Sequence, residues 1–136
     1  MKLIDVVNGT KALSRLSRQA LPLRISYQIN KAGMRMQEDY GFFARQEQAL
    51  LDRYKPTLID GGVVTFESQE IAEEYRKEHE ALEDMETDLE LRTIEIGIDT
   101  PIEISAQDLN TLERAGILRI VGDDEDGENG EAEANG

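Results

Sequence analysis

His79 is the single histidine of a 136-residue chain, and Glu78, Glu80 and Glu83 lie close to it in sequence. An imidazole among carboxylates is raw material for proton transfer or for a metal site. Helical-bundle di-metal sites use Glu-x-x-His twice. Here Arg76 stands where the first Glu would be, and no second histidine exists. His79 therefore reads as an ordinary helix-surface residue. Other catalytic patterns are missing. There is no Cys, no Gly-x-Ser-x-Gly, no phosphate-cradling Gly-x-x-x-x-Gly-Lys-Ser/Thr and no Gly-x-Gly-x-x-Gly. The expectation is a non-enzyme with no catalytic residues, cofactor or metal.

Charge is the stronger signal. Residues 1–35 hold seven bases (Lys2, Lys11, Arg15, Arg18, Arg24, Lys31, Arg35) and one acid, Asp5, a local charge of +6. Residues 36–121 hold eight bases and twenty-one acids, giving −13, and residues 122–136 add −7, which recovers the net charge of −14. From Glu67 to Glu90 only Arg76 and Lys77 offset eleven acids. Such a run reads first as a solvated helix face, and more sharply as a surface imitating a DNA backbone. The basic residues could touch phosphates, but no aromatic residue is interleaved before Tyr27, and the overall charge opposes nucleic acid. The candidate interaction surface is thus Lys11, Arg15, Arg18, Arg24, Lys31 and Arg35 on the basic side. Glu73, Glu74, Glu80 and Glu83 form the acidic side.

These groups must be held by helices. Ile25, Ile29, Ala32, Met36, Tyr40, Phe43, Leu50 and Tyr54 recur at steps of three and four, or their multiples, which places them on one helical face. Pro22 suits the start of that helix and Pro56 its stop. A second face runs Ile71, Tyr75, Leu82, Met85, Leu89, with Glu78 filling the missing step. Ser68 caps this helix, which is expected to reach about Asp88. Between them, Leu58 to Phe66 carries Asp60-Gly61-Gly62 flanked by β-branched residues, a β-hairpin signal.

The flanks are shorter. Residues 2–7 read as a strand or apolar lead-in, with Asn8 capping a helix from about Thr10 to Ala20. Leu89–Arg92 and Ile94–Ile98 alternate in the strand manner with a break near Thr93, and Pro101–Ile104 reads as a further strand. Ser105 and Asp108 form a capping box for a small helix that Gly116 ends. Ile117 to Val121 pack or form a last strand. Residues 122–136 contain only Gly, Asp, Glu, Asn and Ala, and are expected to be a disordered acidic tail. Met34, Met36 and Met85 read as core filler. Tyr27 and Phe42 lie off the main stripe and allow a homo-oligomer.

The runs Ala12-Leu13-Ser14-Arg15-Leu16, Leu21 to Lys31 and Leu50-Leu51-Asp52-Arg53-Tyr54-Lys55 add a resemblance. So does Ile104-Ser105-Ala106-Gln107-Asp108-Leu109. Together they resemble a family of small bacteriophage and prophage proteins of uncharacterised function, over roughly residues 2–118. The resemblance implies a viral context and brings no catalytic residues. The expected fold is α+β and mostly helical. A long antiparallel helical hairpin with a β-hairpin connection dominates, followed by short C-terminal strands and a small helix, all in one domain over 1–121. The expected role is that of a non-enzymatic phage protein acting by protein–protein interaction, in particle assembly or, alternatively, as an acidic DNA-mimic inhibitor of a host DNA-binding or defence protein. The partner would be a phage or host protein, with neither membrane nor nucleic acid. Its place would be the cytoplasm of an infected or lysogenic bacterium.

Overall fold

Leu3, Val6, Val7, Leu13 and Leu16 recur at helical steps and are all buried, and they set the first element. It is helix α1 (Leu3–Leu16). The computed structural model describes residues 1–59, 61, 63–122, 128–129 and 131–132. Residues 3–7 are therefore helix rather than a strand or lead-in, with Lys2 as the N-cap, and α1 begins well before Thr10. Its start is tied to the chain beyond the third helix. The Leu3 amide donates to the Met85 carbonyl at 2.8 Å and the Thr87 amide to the Met1 carbonyl at 2.9 Å. Gly9 sits mid-helix because Ile117 presses on it. A Cβ there would lie 2.4 Å from Ile117 Cδ1.

Helix α2 (Leu23–Tyr54) runs for 32 residues between the two prolines, about 48 Å at 1.5 Å per residue. Lys55 closes it in the left-handed conformation (φ 47°), its amide donating to the Leu51 carbonyl at 2.8 Å. Strands β1 (Thr57–Ile59) and β2 (Val63–Thr65) pair antiparallel with Thr57 opposite Thr65, as the hairpin signal implies, and Gly61 takes φ 85° between them. Ser68 caps helix α3 (Gln69–Glu83), its hydroxyl accepting from the Ile71 amide at 3.2 Å. This helix stops at Glu83 rather than about Asp88, where the chain turns to pair with the N-terminus.

Strand β3 (Ile94–Gly97), helix α4 (Ala106–Arg114) and strand β4 (Leu118–Val121) form a small β-α-β unit. Its strands pair in parallel, Ile94 opposite Leu118 and Gly97 opposite Val121. Ser105 caps α4, accepting from the Asp108 amide at 3.0 Å. The expected strands at Leu89–Arg92 and Pro101–Ile104 do not form. Leu89, Leu91, Ile102 and Ile104 are instead half-buried against the core from irregular chain.

Two cores result, and α2 belongs to both. Ile25, Ile29, Ala32 and Met36 of its N-terminal half join α1, β3, Leu112, Ile117 and Leu118. Phe43 and Leu50 of its C-terminal half join Leu3, Val7 and Leu82. The fold is mostly helical with short strands. However, α3 has 15 residues against 32 in α2 and covers only that second half. The first half is roofed by α1 and the β-α-β unit. Much of the expected tail lies outside the described residues. Within it Gly122 and the two strands β5 (Glu128–Asn129) and β6 (Glu131–Ala132) are described, the strands paired with each other. Among the described residues, no helix is long and apolar enough to cross a membrane.

Candidate interaction surfaces

The six basic residues do not share one fate. Lys11, Arg15 and Arg18 belong to α1 and the turn after it, and Arg24, Lys31 and Arg35 to α2. Arg15 is committed to the fold. Its Nε and Nη2 donate to Asp108 Oδ2 and Oδ1 at 2.9 and 2.8 Å, a two-pronged contact that joins α1 to α4. Arg15 holds the Asp108 carboxyl below its usual range, and the same hydrogen bonds raise the guanidinium's own value. No motif separation marks this pair, since its members stand 93 positions apart in sequence.

Arg24, Lys31 and Arg35 line a cleft of about 490 Å³ with Tyr27, Gln28, Ala32, Leu91 and Arg92. Spacing of seven and four puts the three bases on one stripe of α2, and Arg92 faces them from the chain leading into β3. Arg24 donates to Gln28 Oε1 at 3.2 Å, Arg35 to the Glu90 carbonyl at 3.5 Å, and Lys31 Nζ lies 5.7 Å from the Tyr27 ring centre. Among the described residues, none of Arg24, Lys31, Arg35 or Arg92 has a carboxylate within ion-pair reach. Lys11 and Arg18 are likewise exposed without an ionic partner among the described residues. None of the six candidate bases pairs with a carboxylate of α3 among the described residues, whereas Lys2 at the head of α1 reaches Asp84 Oδ1 at 3.3 Å.

The acidic residues divide too. Glu73, Glu74 and Glu80 are exposed on α3, with Glu73 accepting from Arg76. Glu83 is half-buried and turned to His79, at 3.5 Å from Nδ1. Nε2 of the same ring meets Glu47 Oε2 at 2.9 Å. His79 is thus no surface residue. Its side chain is 19 % exposed, stacked on Tyr75 and edge-on to Phe43. Its two nitrogens point to carboxylates on opposite edges, a bridge between α2 and α3 rather than ligands converging on one point. Among the described residues no group of three or more His, Asp or Glu side chains could hold a metal ion. Glu78 fills its place in the apolar seam by accepting from Tyr54 and, at 2.7 Å, from Arg53. Those two hydrogen bonds, Tyr54 first, hold its pKa below the usual carboxylate range.

The outward side of α2 carries residues whose role the spacing left open. Leu23 is 86 % exposed, Tyr27 60 % and Met34 68 %. They stand opposite the buried stripe, at i, i+4 and i+11. Met36 is core, but Met34 and Met85 are not, which corrects the reading of all three as filler. Phe42 packs against the second core instead of facing outward.

No protein-family model, curated protein or solved structure matches this chain.

Proposed function

We propose that this is a non-enzymatic phage or prophage protein that works by binding another protein, in particle assembly. One observation carries the reading. Bases without ionic partners among the described residues line the N-terminal half of α2, while Glu73, Glu74 and Glu80 stand exposed on α3 beside its C-terminal half. Opposed charge on one surface steers and registers a partner more than it glues one. Leu23, Tyr27 and Met34 beside the basic stripe add the apolar area that holds a partner once it has arrived. We further propose that α2 and α3 act as an antiparallel hairpin, a stiff rod that presents both signs at fixed separation. Tyr54 against Tyr75 and Phe43 against His79 support that direction of packing.

The second reading, an acidic inhibitor of a host DNA-binding or defence protein, rests on the exposed glutamates of α3. One experiment separates the two. The full chain and two charge-reversed forms, Arg24→Glu with Lys31→Glu and Glu73→Lys with Glu80→Lys, are used to capture proteins from infected host cells. Assembly requires virion proteins that bind the parent chain and are lost with the basic reversal. Inhibition requires a nuclease, polymerase or defence effector that is lost with the acidic reversal and released by salt. A turnover abolished by a single exposed-residue change would overturn both.

A further inference from the structure

Two stripes on different helices match each other position for position. Arg24, Gln28, Lys31 and Arg35 stand at i, i+4, i+7 and i+11 on α2, and all four line the cleft of about 490 Å³ that Leu91 and Arg92 close from the other side. Glu73, Lys77, Glu80 and Asp84 stand at the same intervals along α3, with Asp84 the residue that ends it, and all four are exposed. Each stripe is about 16 Å long at 1.5 Å per residue. Laid side by side in the same direction, three bases face three acids. Lys77, the one base among the acids, falls opposite Gln28, the one uncharged residue among the bases. Glu73 accepts from Arg76, and Asp84 accepts from Lys2 at 3.3 Å, each through a single oxygen. Glu73 Oε2, Asp84 Oδ2 and the Glu80 carboxylate have no donor among the described residues.

One molecule cannot bring its own two stripes together. Glu78 bonds Tyr54 and Arg53, and His79 bonds Glu47, so α3 lies along residues 47–54 of its own α2. Arg24 to Arg35 occupy the other half of that helix. We infer that the occupant of the cationic cleft is the α3 stripe of a second copy of this chain. This choice of partner rests on the reading that the unpaired charges serve protein binding, and narrows it to one protein. The carboxylates of Glu73, Glu80 and Asp84 enter between the α2 bases and Arg92, while the α3 backbone stays above the rim. Gln28 Oε1 accepts from Arg24 at 3.2 Å and has a second lone pair to offer Lys77. Leu23 and Tyr27, exposed beside the basic stripe, supply apolar contact. The contact joins unlike surfaces. Two copies that exchange α3 stripes close a dimer, and any other rotation leaves a free cleft for the next copy.

The test is sedimentation of the purified full chain at concentrations up to about 1 mM. It is run at about 0.1 M salt, where the screening length of about 10 Å mutes the net charge but not a direct contact, and at about 0.5 M salt. The chain should associate at the lower salt and dissociate at the higher. Arg24→Glu with Lys31→Glu should weaken association on the order of tenfold or more, and so should Glu73→Lys with Glu80→Lys. Mixing these two forms should restore it, because the intact α3 of the first meets the intact cleft of the second. A chain carrying all four reversals should regain it alone. Lys31→Glu and Glu80→Lys, singly and mixed, repeat the comparison if a double change unfolds the chain. A chain that stays monomeric throughout would overturn the proposal. So would association that survives the α3 reversal, since another acidic segment then fills the cleft, or failure of the mixture to associate. A monomeric result leaves capture of a different protein by the same charges standing, so the two readings fail separately.

Discussion

Arg15 on α1 and Asp108 on α4 grip each other through two parallel hydrogen bonds of 2.9 and 2.8 Å, and this pair fastens the β-α-β unit to the helices. Asp108 also supplies the backbone amide that satisfies Ser105 at the start of α4, so one residue completes both a cap and a clamp. Asp108→Asn should lower stability by roughly 1–2 kcal/mol, toward the lower end because Arg15 is half-exposed. The pH dependence has a definite sign. The folded-state pKa of Asp108 lies below its unfolded value, so its contribution is complete above the ordinary carboxylate range and is lost as pH falls through the lowered folded value. Chemical denaturation of parent and variant should therefore give a gap at neutral pH that closes in strong acid.

Asp39 behaves in the opposite way. Partial burial, then Asp88 and Glu38, raise its folded value. The carboxylate is thus a liability that is absent below the unfolded value and grows as pH rises through the raised one. Asp39→Asn should stabilise the protein at neutral pH by a few tenths of a kcal/mol, as for like charges one turn apart. The gain should shrink in acid, and urea midpoints across pH would reveal both trends.

Two helix-interior glycines make a matched pair. A Cβ on Gly9 would collide with Ile117 Cδ1 and crowd Met36 Cε at 3.1 Å, whereas one on Gly33 would meet nothing within 4 Å. Gly33→Ala should raise stability by about 0.5–1 kcal/mol through helix propensity alone. Gly9→Val should lower it by roughly 1–3 kcal/mol, since Ile117 and Met36 are fully buried and have no room to move. Thermal unfolding of the two variants should shift in opposite directions.

Helix α3 hangs on little apolar area, because Leu82 is its one buried residue among those described. Its amides should exchange with solvent faster than those of α1, which buries seven residues. Leu82→Ala, expected to remove about 2–5 kcal/mol from a full core site, should accelerate exchange in α3 and the facing end of α2 first. Hydrogen exchange resolved by residue would locate the effect, and uniform acceleration throughout α1 and β3 would contradict separate cores.

What could be read in advance followed local chemistry. Pro22, Pro56, Ser68 and Ser105 marked helix ends because each acts on its own backbone neighbourhood, and those ends came out within one or two residues. Thr57 to Thr65 turned where Asp-Gly-Gly stood. The N-terminal apolar run was ambiguous because Leu3, Ile4, Val6 and Val7 fit either a strand or a helix. Packing against Leu82 and Phe43 decided it. Gly9 answers to Ile117, more than a hundred positions away, and no local signal could announce that contact. Leu89 and Leu91 alternated like a strand, but no strand pairs with this segment among the described residues, and they serve as cover for the core. Among the site residues, Arg15 was read as surface charge because Asp108 meets it only through the tertiary fold; Glu83 lies one turn from His79 on the same helix, but the Glu47 on the ring's other edge is brought there only by the packing of α2 on α3. Arg24, Lys31 and Arg35 were legible from spacing. Arg92, which completes their cleft, was not.

Helix α2 carries bases along its opening turns and lies beside a glutamate-covered neighbour along its closing ones, and its peptide bonds are aligned in the same sense. Helix α2, about 48 Å long, thus joins a base-lined end to an end that lies beside exposed glutamates. Such an object rotates in the field of any charged assembly as it approaches, so its first touch is already end-selected before a single side chain has docked.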